Sequence, residues 1–563
     1  MINLPMTSTD AVGMSSYQAA FLTGVVLHIT VFRIGEWDLY TPHLLAGAAI
    51  LDAAASLALT SSAAPGEAKT LWEAFKIAST LLAVCVGGIF SSVLVYRAAF
   101  HRLNRFPGPF LARLSNLYVT LLSVKRFHLY EEIQGLHHKY GDIVRVGPSE
   151  LSIADPKVLD LIHSNQSPCY KGPWYNILHP IRNLYTTRDQ KDHARRRKTW
   201  DKGLGPKALR DYEPRVAEYT AQLLQKLDES QGKPLNMSTW FNFYSFDVMG
   251  DLAFGKSFNM LKDGVVHYYM ESVHANMLAA GAFSHLVWIF PLIKAIPLLN
   301  SENLRLQKWL ADQVRQRRER KTEAADLFSW ILADYDAIGK PTSQDTLNLR
   351  GDAHLIVVAG SDTIAASLTC LFFELALHPR VTEILRVEVD EYFAGNERPA
   401  AQSLSKLEYL QACINESLRL YPPVPSGLQR MTPPEGLQLG DTFIPGNTIV
   451  QVPTYTLHRD ERVFLQPNEF IPERWTSRPD LVKDASVFTP FSTGRYSCAG
   501  KNLGLMELRY VTSQIIHRYN VRMAPTQRPS DFLGGLADAF TFSSKTLNLS
   551  FDSREASAGK SAT

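Results

Sequence analysis

The sequence predicts a mainly α protein with small antiparallel β-sheets, preceded by N-terminal transmembrane helices. Three observations carry that prediction. The first hundred residues are dominated by the apolar runs Ala19–Phe32, His43–Thr60 and Ile77–Tyr96. The body that follows holds helix-length apolar patterns, above all Leu349–His378, which Pro379 closes. Strand signals are short and few, at Asp142–Ala154 and Leu437–Val452, each interrupted by a Gly-Pro or Pro-Gly turn.

Of the three N-terminal runs, Ile77–Tyr96 contains no charge and is long enough to cross a bilayer as a helix. Arg97, His101, Arg102 and Arg105 follow at once, which places the rest of the chain on the cytosolic side. Ala19–Phe32 is a second candidate span. His43–Thr60 is the weakest, because Asp52 is costly at the bilayer centre. No basic residue precedes the first run and no small-residue cleavage site follows it, so it does not read as a signal peptide. This gives a membrane region over 1–104, a catalytic domain over 105–553 and a disordered tail over 554–563.

The composition, 45% hydrophobic and 20% charged over 563 residues, is that of a globular protein. A net charge of +3 gives no electrostatic case for nucleic acid. The five cysteines are scattered without a CxxC spacing, which argues against a zinc site or a disulfide framework and fits a reducing compartment.

Phe106-Pro107-Gly108-Pro109 reads as a stiff elbow after the last span. Pro156 opens a short helix, and Ser164–Asp189 is rich in Pro, Tyr and Asn, as loops are. In the next helix His193 and Arg197 share a face, leaving Arg195, Arg196, Lys198 and Lys202 as a basic surface for an acidic electron-donor protein or simply for solvent. Leu235–Phe258 reads as an aromatic-rich buried helix. Phe283–Leu299, broken by Pro291 and Pro297, suits contact with membrane or lipophilic substrate. Val314–Lys321 reads as a solvated helix face.

Leu349–His378 is apolar all round, as expected of a helix through a domain centre; Asp352, His354, Asp362 and Glu374 argue against a membrane span. Within it, Gly360 removes side-chain bulk so that a flat ligand can approach. Thr363 is placed to bond back to the Ala359 carbonyl, opening the helix locally into a polar notch where Asp362 relays protons. Tyr409–Leu420 is a further helix closed by Pro422-Pro423. Glu416 and Arg419 share one of its faces, and a buried carboxylate there needs a fixed cation. His458-Arg459-Asp460 matches part of a kinase catalytic loop, but no Gly-rich loop or Asp-Phe-Gly accompanies it.

The stretch Phe491-Ser-Thr-Gly494-Arg-Tyr-Ser-Cys498-Ala-Gly500 is a glycine-punctuated turn running into a helix that begins near Ala499. Cys498 at that helix N-terminus is set up as a thiolate, with Gly494 and Gly500 leaving backbone open to a flat ligand and Phe491 packing beside the sulfur. A thiolate so held suits axial ligation of haem iron; read alone, Cys498 fits a buried structural thiol as well.

Phe491, Gly494, Cys498 and Gly500 resemble the haem-binding loop of the cytochromes P-450, Phe-x-x-Gly-x-Arg-x-Cys-x-Gly. Tyr496 departs from it, since the family carries a basic residue there to hold a haem propionate. Ala359-Gly360-Ser361-Asp362-Thr363 resembles the family's oxygen-activation motif. Glu416, Arg419 and Arg474 match its structural ion network behind the haem, and Arg430 and Arg197, with His193 in place of Trp, match its propionate ligands. The resemblance covers roughly 105–550. It implies a cytochrome P-450-like fold with b-type haem on the Cys498 thiolate. It further implies a monooxygenase inserting one oxygen atom from O2 into a lipophilic small molecule, as a tailoring step in secondary-metabolite biosynthesis. Electrons are then expected from NADPH through a separate flavoprotein reductase, at the endoplasmic reticulum membrane. The alternatives are a reductase-independent haem-thiolate isomerase and a haem carrier or sensor. In the same frame Pro425–Leu428 and Phe540 face the substrate.

Overall fold

The computed structural model describes residues 13–61, 70–230, 232–320, 325–544 and 546–554. The chain divides into two compact units: 1–118 with 145–149 and 285–300, and 119–144 with 150–284 and 301–563.

In the first unit, helices Met14–Leu27, Thr41–Ser61 and Leu71–Val95 form where the three apolar runs lie, and with the helical turns that continue them (Met14–Phe32, Asp38–Ser61 and Leu71–Phe100) all three are long and apolar enough to cross a membrane. Leu22, Ile50, Leu51, Leu57 and Phe90 point outward, which suits lipid. The first and third helices touch backbone to backbone. A Cβ on Gly24 would lie 2.0 Å from the Cys85 carbonyl oxygen, and one on Gly88 would lie 2.2 Å from that of Phe21. His28 Nδ1 meets Ser92 Oγ at 2.8 Å across this crossing. The costly Asp52 finds a partner, accepting a 2.7 Å hydrogen bond from Ser79 on the third helix. The segment around helix Ile289–Ala295 packs against the second helix, within the same unit. The Pro107-Gly108 elbow is pinned rather than free: Arg145 N–H donates to the Pro107 carbonyl at 2.7 Å.

The second unit is helical with small sheets around one core. Helix Met237–Phe254, buried along most of its length, packs along helix Ser343–Leu377. The latter begins at Ser343, earlier than the apolar pattern, because Thr342 and Asp345 close a capping box. It is long and apolar enough for a membrane, yet 67% of its apolar window is buried in protein, so it is the domain's central helix. Strand Glu150–Ile153 runs parallel to Ile449–Gln451, which pairs antiparallel with Arg430–Met431, and that in turn with Tyr170–Lys171. Antiparallel hairpins follow at Leu437–Ile444 and Leu536–Ser544.

Three expectations are corrected. Val314–Lys321 is not wholly solvated: Arg317 is buried in helix Ser301–Glu319 and holds Asp326 with both its Nε and one Nη, a bidentate pairing. Lys321 lies outside the described residues. The helix after Cys498 starts at Lys501. The tail 555–563 lies outside the described residues, but Arg554 is fixed, donating to both Asp390 carboxylate oxygens and to the His517 carbonyl.

Candidate active site

Cys498 sits three residues before helix Lys501–Arg518, on a loop shaped by its own backbone. Its N–H donates to the Phe491 carbonyl at 2.9 Å, and Ser497 N–H to that of Gly494 at 3.0 Å. Gly494 has φ +68°, and a Cβ there would lie 2.0 Å from the His163 carbonyl oxygen. The left-handed backbone alone costs a non-glycine residue about 1–3 kcal/mol. Gly494→Ala is therefore expected to lower both thermal stability and haem content, and wild-type values on both measurements would show the loop to be more plastic than this geometry allows. Phe491 is half-buried against the core, with the Lys501 ammonium 5.8 Å from its ring centre. Arg495 turns away, donating to the carbonyls of Asn165 and Ser167.

The Cys498 thiol is open to solvent although protein surrounds it on all sides. Burial pushes its pKa up, while the Gly500 and Lys501 N–H groups and the Arg197 charge pull it down. Burial is the larger of these effects, and a metal ion deprotonates a thiol that coordinates it.

On the central helix the accessible residues form one stripe. Ala359 is exposed and Leu355, Val358, Gly360, Thr363 and Ala366 are partly open, while Ile356, Val357, Ser361, Asp362, Ile364 and Ala365 are buried. Thr363 Oγ donates to the Ala359 carbonyl at 2.8 Å as the spacing predicted, but the helix runs through without opening. Gly360 is partly open too, and its missing Cβ makes room for the Met249 thioether, 2.6–2.7 Å from where that Cβ would stand. Gly360 thus also serves the packing of Met249, while Ala359 is the most exposed position of this stretch. Ile364 packs against Gly504 of the helix behind Cys498. Asp362 is buried and accepts from His274 Nε2 at 3.2 Å; the His274 side chain is 38% exposed. His274 was not legible in the sequence, because nothing local links it to a residue so far along the chain.

Arg197 Nη1 donates to the Ser497 carbonyl at 2.6 Å, tying helix Gln190–Gly203 to the cysteine loop, and its Nε binds Asp201. His193 is buried with its ring edge-on to Tyr496 at 4.7 Å, and its pKa is pushed down to about 3 by burial first and then by Lys171, Arg197 and Arg430. The expected basic surface is reduced, since Arg196 points inward to Asp192 and Asp352. Arg430 is 1% exposed, spends Nη1 on Tyr175 and the Gln429 carbonyl, and keeps Nε and Nη2 without partners. That free edge is the fork that grips a carboxylate. Tyr496 Oη is likewise buried and unpartnered. An open thiol, an accessible stripe on a buried helix, and orphaned donors beside them fit a flat, iron-bearing, dianionic cofactor.

Glu416, fully buried, accepts from Arg419 Nε and Nη2 at 2.9 and 2.8 Å, Arg474 Nε at 2.8 Å, Trp475 Nε1 at 2.9 Å and the Ile471 N–H at 3.0 Å. Phe540, at the hairpin tip, stacks on Trp174 at 4.8 Å. Ser426 Oγ bonds the Asp538 carboxylate of the same hairpin.

The cytochrome P450 family model matches residues 107–551. Among relatives, a cytochrome P450 monooxygenase (FCK2) of Fusarium pseudograminearum is 56% identical over 540 residues, 96% of this chain and 98% of that one. The cytochrome P450 monooxygenase phqL of Penicillium fellutanum is 39% identical over 98% of this chain and 97% of its own. The tryprostatin B 6-hydroxylase of Aspergillus fumigatus is 37% identical over 89% and 90%. With the family model spanning the whole second unit's core motifs, from the central helix to the cysteine loop, the chain belongs to the cytochrome P450 family and is a haem-thiolate-class monooxygenase.

Proposed function

We propose that Cys498 is the axial ligand of a b-type haem and that this membrane-anchored chain oxidises a lipophilic secondary metabolite. The observation that carries the reading is the open Cys498 thiol, enclosed by protein and backed by the Gly500 and Lys501 N–H groups. When bound, the haem supplies activation of O2 and insertion of one oxygen atom into the substrate. Arg430 binds one haem carboxylate through its free Nε and Nη2 edge, and Arg197 and His193 stand on the same side. Glu416, Arg419 and Arg474 hold the fold behind the cofactor.

Thr363 Oγ spends its proton on the Ala359 carbonyl, so its lone pairs face the open stripe and accept a hydrogen bond there. Asp362 accepts a hydrogen bond from the half-exposed His274, which links that carboxylate to solvent for proton relay. The relative named tryprostatin B 6-hydroxylase supports a tailoring oxidation as this chain's role. Electrons come from NADPH through a separate flavoprotein reductase that docks on the face bearing Lys198 and Lys202. The three apolar helices anchor the chain in the endoplasmic reticulum with Arg97, Arg102 and Arg105 on the cytosolic side.

Thr363→Ala tests the role of this hydroxyl. Product formed per NADPH oxidised is expected to fall about tenfold or more, the lost fraction appearing as hydrogen peroxide, with the haem spectrum unchanged. Unaltered coupling removes Thr363 from the mechanism.

A further inference from the structure

His354 lies on the central helix upstream of Thr363, about 13 Å away along the helix axis. Protein encloses it, and burial pushes its pKa down to about 4, so the ring is neutral at pH 7. It nonetheless stays partly accessible, as do Leu355 and Val358 beside it. The Cys498 thiol combines enclosure with accessibility in the same way, and the combination marks a group that lines an internal cavity. His354 Nδ1 meets Tyr269 Oη at 2.7 Å. Tyr269 is fully buried, its ring stacked on Trp309 at 4.5 Å and packed against Phe258 at 5.5 Å, so it is held in place. Burial keeps its hydroxyl protonated, and among the described residues that hydroxyl has no second partner. It therefore donates to Nδ1, which fixes the imidazole proton on Nε2. Nε2–H has no partner among the described residues.

We propose that His354 determines substrate specificity, its Nε2–H donating a hydrogen bond to a neutral acceptor on the lipophilic substrate. Between His354 and Thr363 the open positions Leu355, Val358 and Ala359 are apolar, so this donor stands out against hydrocarbon. A ligand that lacks an acceptor leaves the donor desolvated and unpaired, and such a site rejects it strongly. The acceptor is a carbonyl, ether or ring nitrogen rather than an anion. His354 carries no charge, and burial alone accounts for its lowered pKa, with no cation acting on it. An anionic group placed there would be buried without a counter-charge. Tyr269 is a positioning residue: it sets the tautomer and the ring plane of His354 from helix Tyr268–Ala282. The substrate class that follows is a lipophilic molecule with a hydrogen-bond acceptor at the end remote from Thr363. This assignment rests on the reading of the open stripe as the substrate side of a haem on Cys498.

The test uses the full-length protein as wild type, His354→Phe, His354→Gln and Tyr269→Phe. The probes are lipophilic pairs that differ by one acceptor oxygen: fluorenone against fluorene, and benzophenone against diphenylmethane. Dissociation constants are measured by equilibrium dialysis, corrected for partition into detergent, and by the change each probe causes in the haem absorption band. Wild type is expected to bind each ketone about tenfold or more tighter than its hydrocarbon. His354→Phe should bind both members of a pair alike. His354→Gln, whose amide N–H takes the place of Nε2–H, should keep the preference. Tyr269→Phe leaves the imidazole untethered and should lose part of the preference while its carbon monoxide spectrum stays that of wild type. A purely structural His354 weakens ketone and hydrocarbon together and leaves their ratio unchanged, and that result overturns the proposal. So does a wild type without preference in either pair, or a preference that survives in His354→Phe. Protein that takes up no haem overturns the Cys498 reading, while the dialysis ratio still decides the role of His354, which separates the two failures.

Discussion

Glu416→Ala is expected to yield no stably folded, haem-loaded protein. The side chain accepts five hydrogen bonds, three of them from the guanidinium groups of Arg419 and Arg474, in a setting with no solvent access. Removing the only carboxylate of that cluster leaves two buried cations facing carbonyls alone. Breaking one such buried pair costs roughly 3–5 kcal/mol, and a domain has about 5–15 kcal/mol to lose. Here two pairs break at once. Glu416→Gln keeps the shape and one acceptor oxygen and should be less damaging, though still poorly loaded with haem. The check is haem content of purified protein with denaturant unfolding of whatever is recovered. A Glu416→Ala chain that loads haem and unfolds at the wild-type midpoint would remove the network from the stability account.

Cys498→Ala is expected to abolish monooxygenase activity altogether rather than reduce it. The loop around the sulfur is held by its backbone, through the Phe491 and Gly494 carbonyls and the Arg197 bond to Ser497, none of which uses the thiol. The fold should therefore survive while the electron-donating ligand is gone. Melting temperature of the apo-variant against haem-dependent product formation separates the two effects. Retained turnover in Cys498→Ala would mean that another group holds the iron.

Much of this site could be read from sequence because its motifs are local. The cysteine loop, the Glu416–Arg419 spacing and the Ala359–Thr363 stretch each lie within one turn or one helix, where residue spacing fixes which side chains share a face. The same holds for the three apolar runs at the N-terminus and for the helix ended by Pro379. What stayed hidden depends on pairings between distant parts of the chain. His274 acquires meaning only through Asp362, and Asp52 only through Ser79. Arg196 and Arg317 read as surface charge in the sequence because a helix pattern counts charges without showing where Asp352 and Asp326 will be. Gly360 shows a second role that its motif did not reveal. The space its missing Cβ leaves takes the Met249 thioether from the neighbouring helix, a contact that the local spacing of the motif does not show.

The central claim, that the Cys498 sulfur is the iron ligand, is met most directly by the absorption spectrum of the full-length protein, reduced and exposed to carbon monoxide. The account predicts the red-shifted Soret band given by a thiolate opposite carbon monoxide, absent from Cys498→Ala prepared alongside. A band of the kind histidine-ligated haem gives, or a thiolate band that persists in Cys498→Ala, would contradict it.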